Sequence, residues 1–465
     1  MKRALFIATL LALCVGDQAS RAAGNRVQTP GTTPTFNRDV APILFTHCVG
    51  CHRPDGVGPM SLLTFDQART YAPRIRQKVT AQEMPPWYAD RRFGQFKNAR
   101  GLTQGQIDTL IAWIEGGAPQ GDGNPPSPPT FPPDGWHVQL NRPPDAILEL
   151  PFGEFELPAN GEVPTFTVWM KLPFRQDRYI QAIEMRPSVR NAVHHSSMSL
   201  ASLPAGATIG RAPVFPGGPV LDGVPVFRDG NAVTISSGEQ FGRPVMFYVP
   251  GGGVTQLPDG LAKRFGRDDY LAWGLHLMST GKAEKVRVQI GLWYARGQPH
   301  HEVHTWTVNE RLLVEGKEIS PDPNGNRTVP NIPPRVESWS MTGILKIDQD
   351  ITIYSLWPHM HFRGKDMTFV LRQPNGNEET LLSVPHYNPH WQITYELAKA
   401  LKVRRGSTIT AYGHYDNSTK NPHNPAPDAA VRFGPQSTDE MYIPFMEVSV
   451  DAEDLRQKLL EEFAR

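Results

Sequence analysis

Two cysteines followed directly by a histidine are the first residues whose spacing indicates chemistry. The stretch Cys48-Val49-Gly50-Cys51-His52 has the C-x-x-C-H pattern of covalent haem attachment. In that chemistry both thiols bond to the porphyrin and the histidine ligates the iron. A zinc half-site or a redox disulfide would use the same thiols, but the second zinc half-site and a thioredoxin-like βαβ pattern are both missing. The motif therefore favours one covalently bound haem c.

The segment around this motif predicts a small helical domain. Residues 37–47 form a short helical pattern, and residues 103–115 carry apolar side chains at helical spacing. A helix at each end with the haem motif between them resembles a class I cytochrome c, which we place at residues 35–118. The resemblance implies a methionine as the second iron ligand. Met84, followed by two prolines, is preferred over Met60, which lies very close to the attachment site.

The N-terminus predicts export. Lys2 and Arg3 precede an apolar run and then small residues, which is typical of a signal peptide, here residues 1–23. No later run approaches the roughly 18 apolar residues of a membrane span. The protein is therefore expected to be periplasmic or secreted, without a membrane span. A formal net charge of +1 gives no indication of nucleic-acid binding.

The remaining chain predicts mostly β structure. The 465 residues suggest several domains, and 45 prolines with 41 glycines favour short strands and loops. Apolar alternation, as in residues 146–150, 165–169, 285–290 and 351–356, is typical of sandwiches. The predicted order is a small all-α cytochrome c domain (35–118), a Pro/Gly linker (119–135), β-sandwiches at 136–298 and 299–451, and a C-terminal helix at 452–465.

Histidines in this β region have spacings that metals use. His359 and His361 lie two residues apart, so both rings share one face if the strand continues. His194 and His195 are adjacent, and joint ligation by them would need a local twist. His276 stands alone in an apolar segment. Each of these histidines taken singly is more often structural than a ligand.

The order of these histidines resembles the copper type II, ascorbate-dependent monooxygenases, the group of peptidylglycine α-hydroxylating and dopamine β-monooxygenase. The His194-His195 pair and His276 match the three ligands of the electron-transfer copper. His359, His361 and the methionine of Thr438-Asp439-Glu440-Met441 match the oxygen-binding copper. A loop over residues 415–425 resembles one found in bacterial relatives.

The resemblance implies two β-sandwiches, each holding one copper ion. It implies hydroxylation of a substrate C–H bond with O2 at His359, His361 and Met441, the second electron coming from the other copper. Two imidazoles with a thioether favour Cu(I), the state that binds O2. The reductant would be ascorbate-like or a periplasmic donor protein. One hypothesis is that the haem passes electrons to the three-histidine copper; the alternative is that the linker tethers independent modules.

Differences from the family restrict the class of substrate that we expect. The predicted β region contains no cysteine, so it cannot form the disulfides found in eukaryotic members. Amidating members hold a carboxylate with an arginine before the His-x-His motif and polar residues after the methionine, whereas here Trp357, Ile443 and Phe445 stand nearby. An apolar pocket does not offset desolvation of a carboxylate, so a small neutral organic substrate is expected.

A rival interpretation is a non-catalytic electron-transfer or copper-binding protein. Met441 favours the enzyme, because an electron carrier needs no second, oxygen-binding copper. Further histidines have no assigned role. These are His137, His300, His301, His304, His386, His390, His414 and His423.

Overall fold

The computed structural model describes most of the chain. The described residues are 33–54, 56–131, 136–138, 140–161, 163–203, 206–214, 219–226, 242–249, 252–323, 326–434 and 436–456. The predicted signal peptide, the end of the predicted linker and most of the predicted C-terminal helix lie outside them. Among the described residues, no helix is long and apolar enough to cross a membrane.

The N-terminal region is helical and has a hydrophobic core of its own. Its elements are a π-helical turn (Phe36–Val40), α1 (Ala41–His47), α2 (Phe65–Thr70), α3 (Ala72–Thr80) and α4 (Gln104–Glu115). The helix predicted from residue 103 begins at Gln104, because Thr103 caps it and forms a capping box with Gln106. The predicted linker starts docked on this region, since the Phe36 N–H donates to the Pro119 carbonyl.

The first sandwich covers the strands up to Glu302. They are β1 (Ala146–Glu149), β2 (Phe155–Leu157), β3 (Phe166–Lys171), β4 (Arg178–Pro187), β5 (Val193–Ala201), β6 (Thr208–Pro213), β7 (Val220–Val226), β8 (Arg243–Tyr248), β9 (Val254–Gln256), β10 (Leu261–Phe265), β11 (Tyr270–Leu277), β12 (Glu284–Val286), β13 (Val288–Tyr294) and β14 (His301–Glu302). One sheet has the order β1-β13-β4-β10-β14, with β9 also paired to β4, and the other has the order β3-β11-β5-β8. The mostly β fold predicted from the alternating pattern is confirmed.

One predicted strand in this sandwich is wrong in its extent. The run over residues 285–290 is divided at Arg287 into β12, which pairs with β2, and β13, which pairs with β4. The backbone of Arg287 leaves both ladders to bond with Ser188: its N–H donates to Ser188 Oγ, and its carbonyl accepts from the Ser188 N–H.

The second sandwich follows directly. Its strands are β15 (His304–Thr307), β16 (Arg311–Val314), β17 (Lys317–Glu318), β18 (Trp339–Lys346), β19 (Ile351–His359), β20 (Gly364–Arg372), β21 (Glu378–Val384), β22 (Tyr395–Val403), β23 (Thr408–Tyr415) and β24 (Ile443–Val450). Its sheets have the orders β15-β24-β19-β22 and β17-β16-β18-β23-β20-β21. A single apolar cluster fills the space between them.

The two sandwiches meet at a short strap and a buried ion pair. Residues 301–302 pair with β10, and residues 304–307 pair with β24, so Val303 alone separates the two sheets. Lys263 of the first sandwich lies 2.9 Å from Glu447 of the second, and its side chain is only 3% exposed. Breaking a buried pair leaves an uncompensated charge, so this contact fixes the sandwiches relative to each other.

The helical region docks on the second sandwich through the loop that carries Met84. The Lys97 N–H donates to the Glu396 carbonyl, and the Ala398 N–H donates to the Gln95 carbonyl, so the loop extends the sheet beyond β22. The Trp87 and Tyr395 rings lie 5.0 Å apart at the same contact. The helical region is therefore bound to the sandwich by more than the chain that connects them.

Candidate metal centres

The first histidine cluster owes its shape to a β-bulge. In the pairing of β5 with β11, His195 lies opposite His276 and Val193 lies opposite Leu277. His194 is therefore the extra residue on its strand. A bulge of this kind turns the side chain of the inserted residue toward that of its neighbour. This supplies the local twist that the adjacent histidines require.

The three rings converge closely enough to hold one metal ion. Their centroids are 5.2 Å (His194–His195), 5.0 Å (His194–His276) and 4.7 Å (His195–His276) apart. One ring nitrogen from each lies within 4.8 Å of the others. The buried Nδ1 of His195 has no hydrogen-bond partner. A buried polar atom without a partner at the centre of such a cluster fits a metal ligand.

Burial keeps these imidazoles in the neutral form that binds metal. Desolvation, with smaller contributions from His276 and His390, lowers the pKa of His194 to about 3. The pKa of His195 is lowered well below its ordinary value, first by burial and then by His276 and other neighbouring imidazoles. Metal binding at neutral pH therefore requires no proton release from these rings.

His390 is a partner of this cluster that the sequence did not identify. Its Nδ1 lies 3.1 Å from Nε2 of His194, although the two residues are 196 positions apart and belong to different sandwiches. His423 lies behind it, with ring centroids 5.1 Å apart. No local motif marks His390, because its role depends on how the sandwiches dock.

The second cluster contains His359, His361 and Met441. Strand β19 ends at His359, so the alternation expected for a continuing strand does not govern His361. The two rings nevertheless lie 5.2 Å apart at 88°. Nε2 of His359 lies 3.4 Å from Sδ of Met441. The structure thus brings together the two imidazoles and the thioether named from the sequence.

Hydrogen bonds fix which nitrogen of each ring is available. His359 Nδ1 donates to Gln392 Oε1 at 2.6 Å, and His361 Nδ1 donates to the Asp439 carbonyl at 3.2 Å. Both acceptors are oxygens, so Nε2 of each ring keeps its lone pair for a metal. Burial lowers the pKa of His359 to about 3 and that of His361 to about 4, so both rings are neutral.

A buried glutamate joins the two loops that supply the ligands. Glu440 accepts the backbone N–H groups of His361 at 2.9 Å, Arg363 at 2.6 Å and Met441 at 3.2 Å. Burial raises its pKa to about 8, against the lowering effect of these bonds. One carboxyl group thus sets the distance between the His-x-His loop and the methionine.

Two tyrosines complete this support. The Tyr387 hydroxyl donates to the Met360 carbonyl at 2.8 Å and accepts from its N–H, which clamps the residue between the two histidines. The Tyr415 hydroxyl donates to the Met441 carbonyl at 2.8 Å. Gly364 is required beside this clamp, because a Cβ there would lie 2.7 Å from Met360 Cβ and 2.8 Å from the Tyr387 ring.

The two clusters face one another where the sandwiches meet. After burial and its own cluster partners, His361 and His359 are the neighbours that lower the pKa of His195. Beside them the Phe247 ring of the first sandwich lies 3.6 Å from the Trp357 ring of the second, and Trp357 stacks on Phe445 at 4.6 Å. Aromatic packing therefore closes the junction next to the ligands.

The Cys48–His52 motif lines a cavity of about 1060 Å³ between the helical region and both sandwiches. Met60 and Met84 also line it, with cationic residues Arg74, Lys78, Lys97 and Arg100. His52 Nδ1 lies 3.2 Å from the Met60 carbonyl oxygen, so Nδ1 carries the proton and Nε2 remains a free ligand. Small-molecule pockets span roughly 300–1,000 Å³, so the cavity has room for a large flat cofactor.

The two thiols of the motif are half-buried and are not joined by a disulfide. Burial, with a smaller contribution from Cys51, raises the pKa of the Cys48 thiol to about 12. Thiolate chemistry needs a low pKa. The raised pKa therefore disfavours the thiolate form on which a redox dithiol depends.

Other histidines have structural partners. His301 Nδ1 donates to the Glu453 carbonyl at 3.0 Å, and His304 Nε2 lies 3.2 Å from the Glu453 carboxylate. His137 binds the buried Glu184 at 2.8 Å. His414 binds Asp366 at 2.7 Å, and His386 is exposed.

Comparison with known proteins bears on the second sandwich. Residues 326–450 match the family model described as copper type II ascorbate-dependent monooxygenase, C-terminal domain. This segment of the chain is therefore similar to the C-terminal domain of that family, and it contains His359, His361 and Met441. A search of curated proteins gives no significant match.

Solved structures resemble the chain only weakly. The tandem CBM22-1 and CBM22-2 domains of Paenibacillus barcinonensis Xyn10C have 13% identity, a TM-score of 0.18, and cover 68% of this chain and 100% of their own. Allantoicase has 12% identity, a TM-score of 0.16, and coverage of 57% and 79%. Paenibacillus xanthan lyase has 12% identity, a TM-score of 0.16, and coverage of 71% and 28%.

Proposed function

We propose that this chain is an exported monooxygenase that contains two copper ions and one covalent haem c, and that it hydroxylates a C–H bond of a small neutral substrate with O2. The observation that carries the proposal is the His359–His361–Met441 cluster, with Nδ1 of each histidine bonded to an oxygen acceptor, inside the segment that matches the copper monooxygenase family. Copper bound at the two clusters would supply the site of O2 activation and the second electron.

The chain's own residues prepare these sites before metal arrives. Gln392 and the Asp439 carbonyl hold the rings of His359 and His361 with Nε2 toward Met441. Glu440 keeps the two ligand loops in register. The aromatic junction at Trp357 keeps bulk water from this side of the ligands. Water exclusion strengthens the local electrostatics and limits side reactions.

The apolar surroundings of His359 support a neutral substrate. Trp357 and Phe445 are buried beside it, and each is less than 5% exposed. The guanidinium of Arg363, nearby in sequence, is bonded to Asn424 and to the Thr438 carbonyl. Because the guanidinium already makes these hydrogen bonds, we do not expect it to bind a substrate carboxylate. Tight binding of a glycine-extended peptide would contradict this assignment.

The cavity at Cys48–His52 supports the haem. The two thiols would hold the haem covalently, and His52 Nε2 and the Met84 thioether would be the ligands of its iron. The cationic side chains on the same cavity suit the two carboxylates of the macrocycle. Bound there, the haem would supply single electrons received from a periplasmic donor protein or an ascorbate-like reductant.

The test is metal content followed by O2 uptake. The full-length protein, produced in a periplasmic host that matures c-type cytochromes, should contain one haem and two coppers and consume O2 with ascorbate. Met441→Leu should abolish O2 uptake and leave haem reduction intact. Met367→Leu, a buried methionine of β20, is the matched control and should behave as wild type.

The rival function has a distinct result in the same experiment. A preparation with one haem and no copper at the second cluster, or O2 uptake indifferent to Met441, would indicate a non-catalytic electron-transfer protein.

A further inference from the structure

The cavity at the Cys48–His52 motif reaches the base of the second histidine cluster. Met84, Trp357 and Gln392 all line it, although they come from the helical region and from two separate segments of the second sandwich. The loop that carries Met84 is bonded to the segment between Gln392 and β22: Asn98 Nδ2 donates to the Thr394 carbonyl at 2.7 Å. The wall between the two sites is therefore built by direct docking.

This wall is in contact with a predicted copper ligand. Gln392 Oε1 accepts the hydrogen bond of His359 Nδ1 at 2.6 Å. The Trp357 indole N–H donates to the Gln392 carbonyl at 3.0 Å, and its ring lies 5.0 Å from that of His359. One layer of side chains thus separates the cavity from His359.

The three-histidine cluster is not joined to the wall of this cavity by a hydrogen bond. Among the described residues, no cavity-lining side chain is hydrogen-bonded to His194, His195 or His276. Strand β8 of the cavity wall pairs with β5 so that Tyr248 lies opposite Ser196, the neighbour of His195, and Cys51 of the motif acts electrostatically on Tyr248. That route contains no hydrogen bond to a ligand ring.

We propose that electrons leaving the haem arrive first at the His359–His361–Met441 site, through Trp357 and Gln392. The inference rests on the proposed function, because it requires haem in the cavity and copper at the cluster. In each transfer the haem iron is oxidised from Fe(II) to Fe(III) and the copper is reduced from Cu(II) to Cu(I). A periplasmic donor protein then returns one electron to the haem.

The deciding experiment follows the haem, not turnover. Full-length protein with haem and copper content measured beforehand is oxidised, made anaerobic, and given one electron by a flash-generated deazaflavin radical. Haem absorbance then reports the reoxidation of Fe(II). His276→Ala, which empties the three-histidine site, should leave this rate within threefold of wild type. His361→Ala, which empties the other site, should slow it at least tenfold.

A second pair of variants tests the wall itself. Trp357→Leu should slow haem reoxidation at least tenfold with copper content unchanged. Trp391→Leu is the matched control, since Trp391 lines the same cavity but, among the described residues, makes no ring contact with His359, and its effect should stay within twofold.

The outcomes separate the two proposals. Protein that binds no haem or only one copper overturns the proposed function, and this inference with it. Fully loaded protein in which His276→Ala, but not His361→Ala, stops haem reoxidation overturns this inference alone and assigns the three-histidine site as the acceptor.

Discussion

The two histidine clusters use similar ligands but are held in different ways. In the second sandwich the noncoordinating nitrogens of His359 and His361 are both bonded, and Glu440, Tyr387 and Tyr415 fix the backbone between the ligands. In the first sandwich a single β-bulge sets the geometry. Among the described residues, the ring-orienting bond from outside this cluster comes from His390 of the other sandwich, and His195 Nδ1 has no partner.

This difference indicates that the two sites acquire their shapes in different ways. The second site is preorganised by its own domain, so it is complete whether or not the sandwiches are docked. The first site depends on docking for its shape, and on the copper ion if the proposed function is correct. Partners of metal-bound histidines typically contribute about 10–100-fold to affinity, so the two sites should respond differently to the loss of a single partner.

Removing the carboxyl group of Glu440 should have the largest effect. Glu440→Leu leaves three buried N–H groups without acceptors, and each costs about 1–3 kcal/mol. We expect the metal-free protein to lose at least about 3 kcal/mol of unfolding free energy and the second site to lose copper. Urea unfolding and metal analysis check this. Glu440→Gln, which retains one acceptor oxygen, should lose less stability; equal losses would mean that the N–H bonds contribute little.

Copper should stabilise the first sandwich more visibly than the second. A ligand at about 100 times its dissociation constant adds about 2.7 kcal/mol. Because the first cluster is the less supported one, hydrogen exchange at residues 193–196 should slow on copper binding more than exchange at residues 359–361. The comparison fails if both segments are equally protected in the metal-free protein.

Loss of His390 should weaken only the first site. His390→Phe removes the acceptor for His194 Nε2–H, and we expect copper affinity there to fall about tenfold while the second site is unchanged. Competitive titration with a copper chelator measures both. His386→Phe, an exposed histidine of the same loop, is the control and should alter neither affinity more than twofold. Equal weakening at both sites would show that His390 supports the junction as a whole.

The sequence identified the residues that converge in the two clusters better than it identified their surroundings. The types and order of these residues could be read from short motifs such as residues 359–361 and 438–441. The bulge at His194 could not be predicted from the sequence, because it depends on which residues of β11 pair with His195 and Val193. His390, Gln392 and the docked Met84 loop were also missed. Each acts across a contact between segments far apart in sequence, which no local pattern of residues predicts.

The smallest effect is expected from replacing His414, an ion-paired histidine in the same sandwich as the predicted ligands His359 and His361. The hydrogen bond to Asp366 and its charge raise the pKa of His414, whereas burial lowers that of His359 and His361. A raised folded-state pKa gives stability that is complete below the unfolded value of about 6.5 and lost as pH rises through the folded value. The pair is partly exposed, with side chains 39% and 24% accessible, so the contribution is a few tenths of a kcal/mol, about that of a surface ion pair.

His414→Gln should remove this pH-dependent part of the unfolding free energy and leave copper content unchanged. A loss of copper in that variant would show that His414 belongs to the support of Met441, through its neighbour Tyr415, and that the well-supported site extends one strand further than the hydrogen bonds to its ligands indicate.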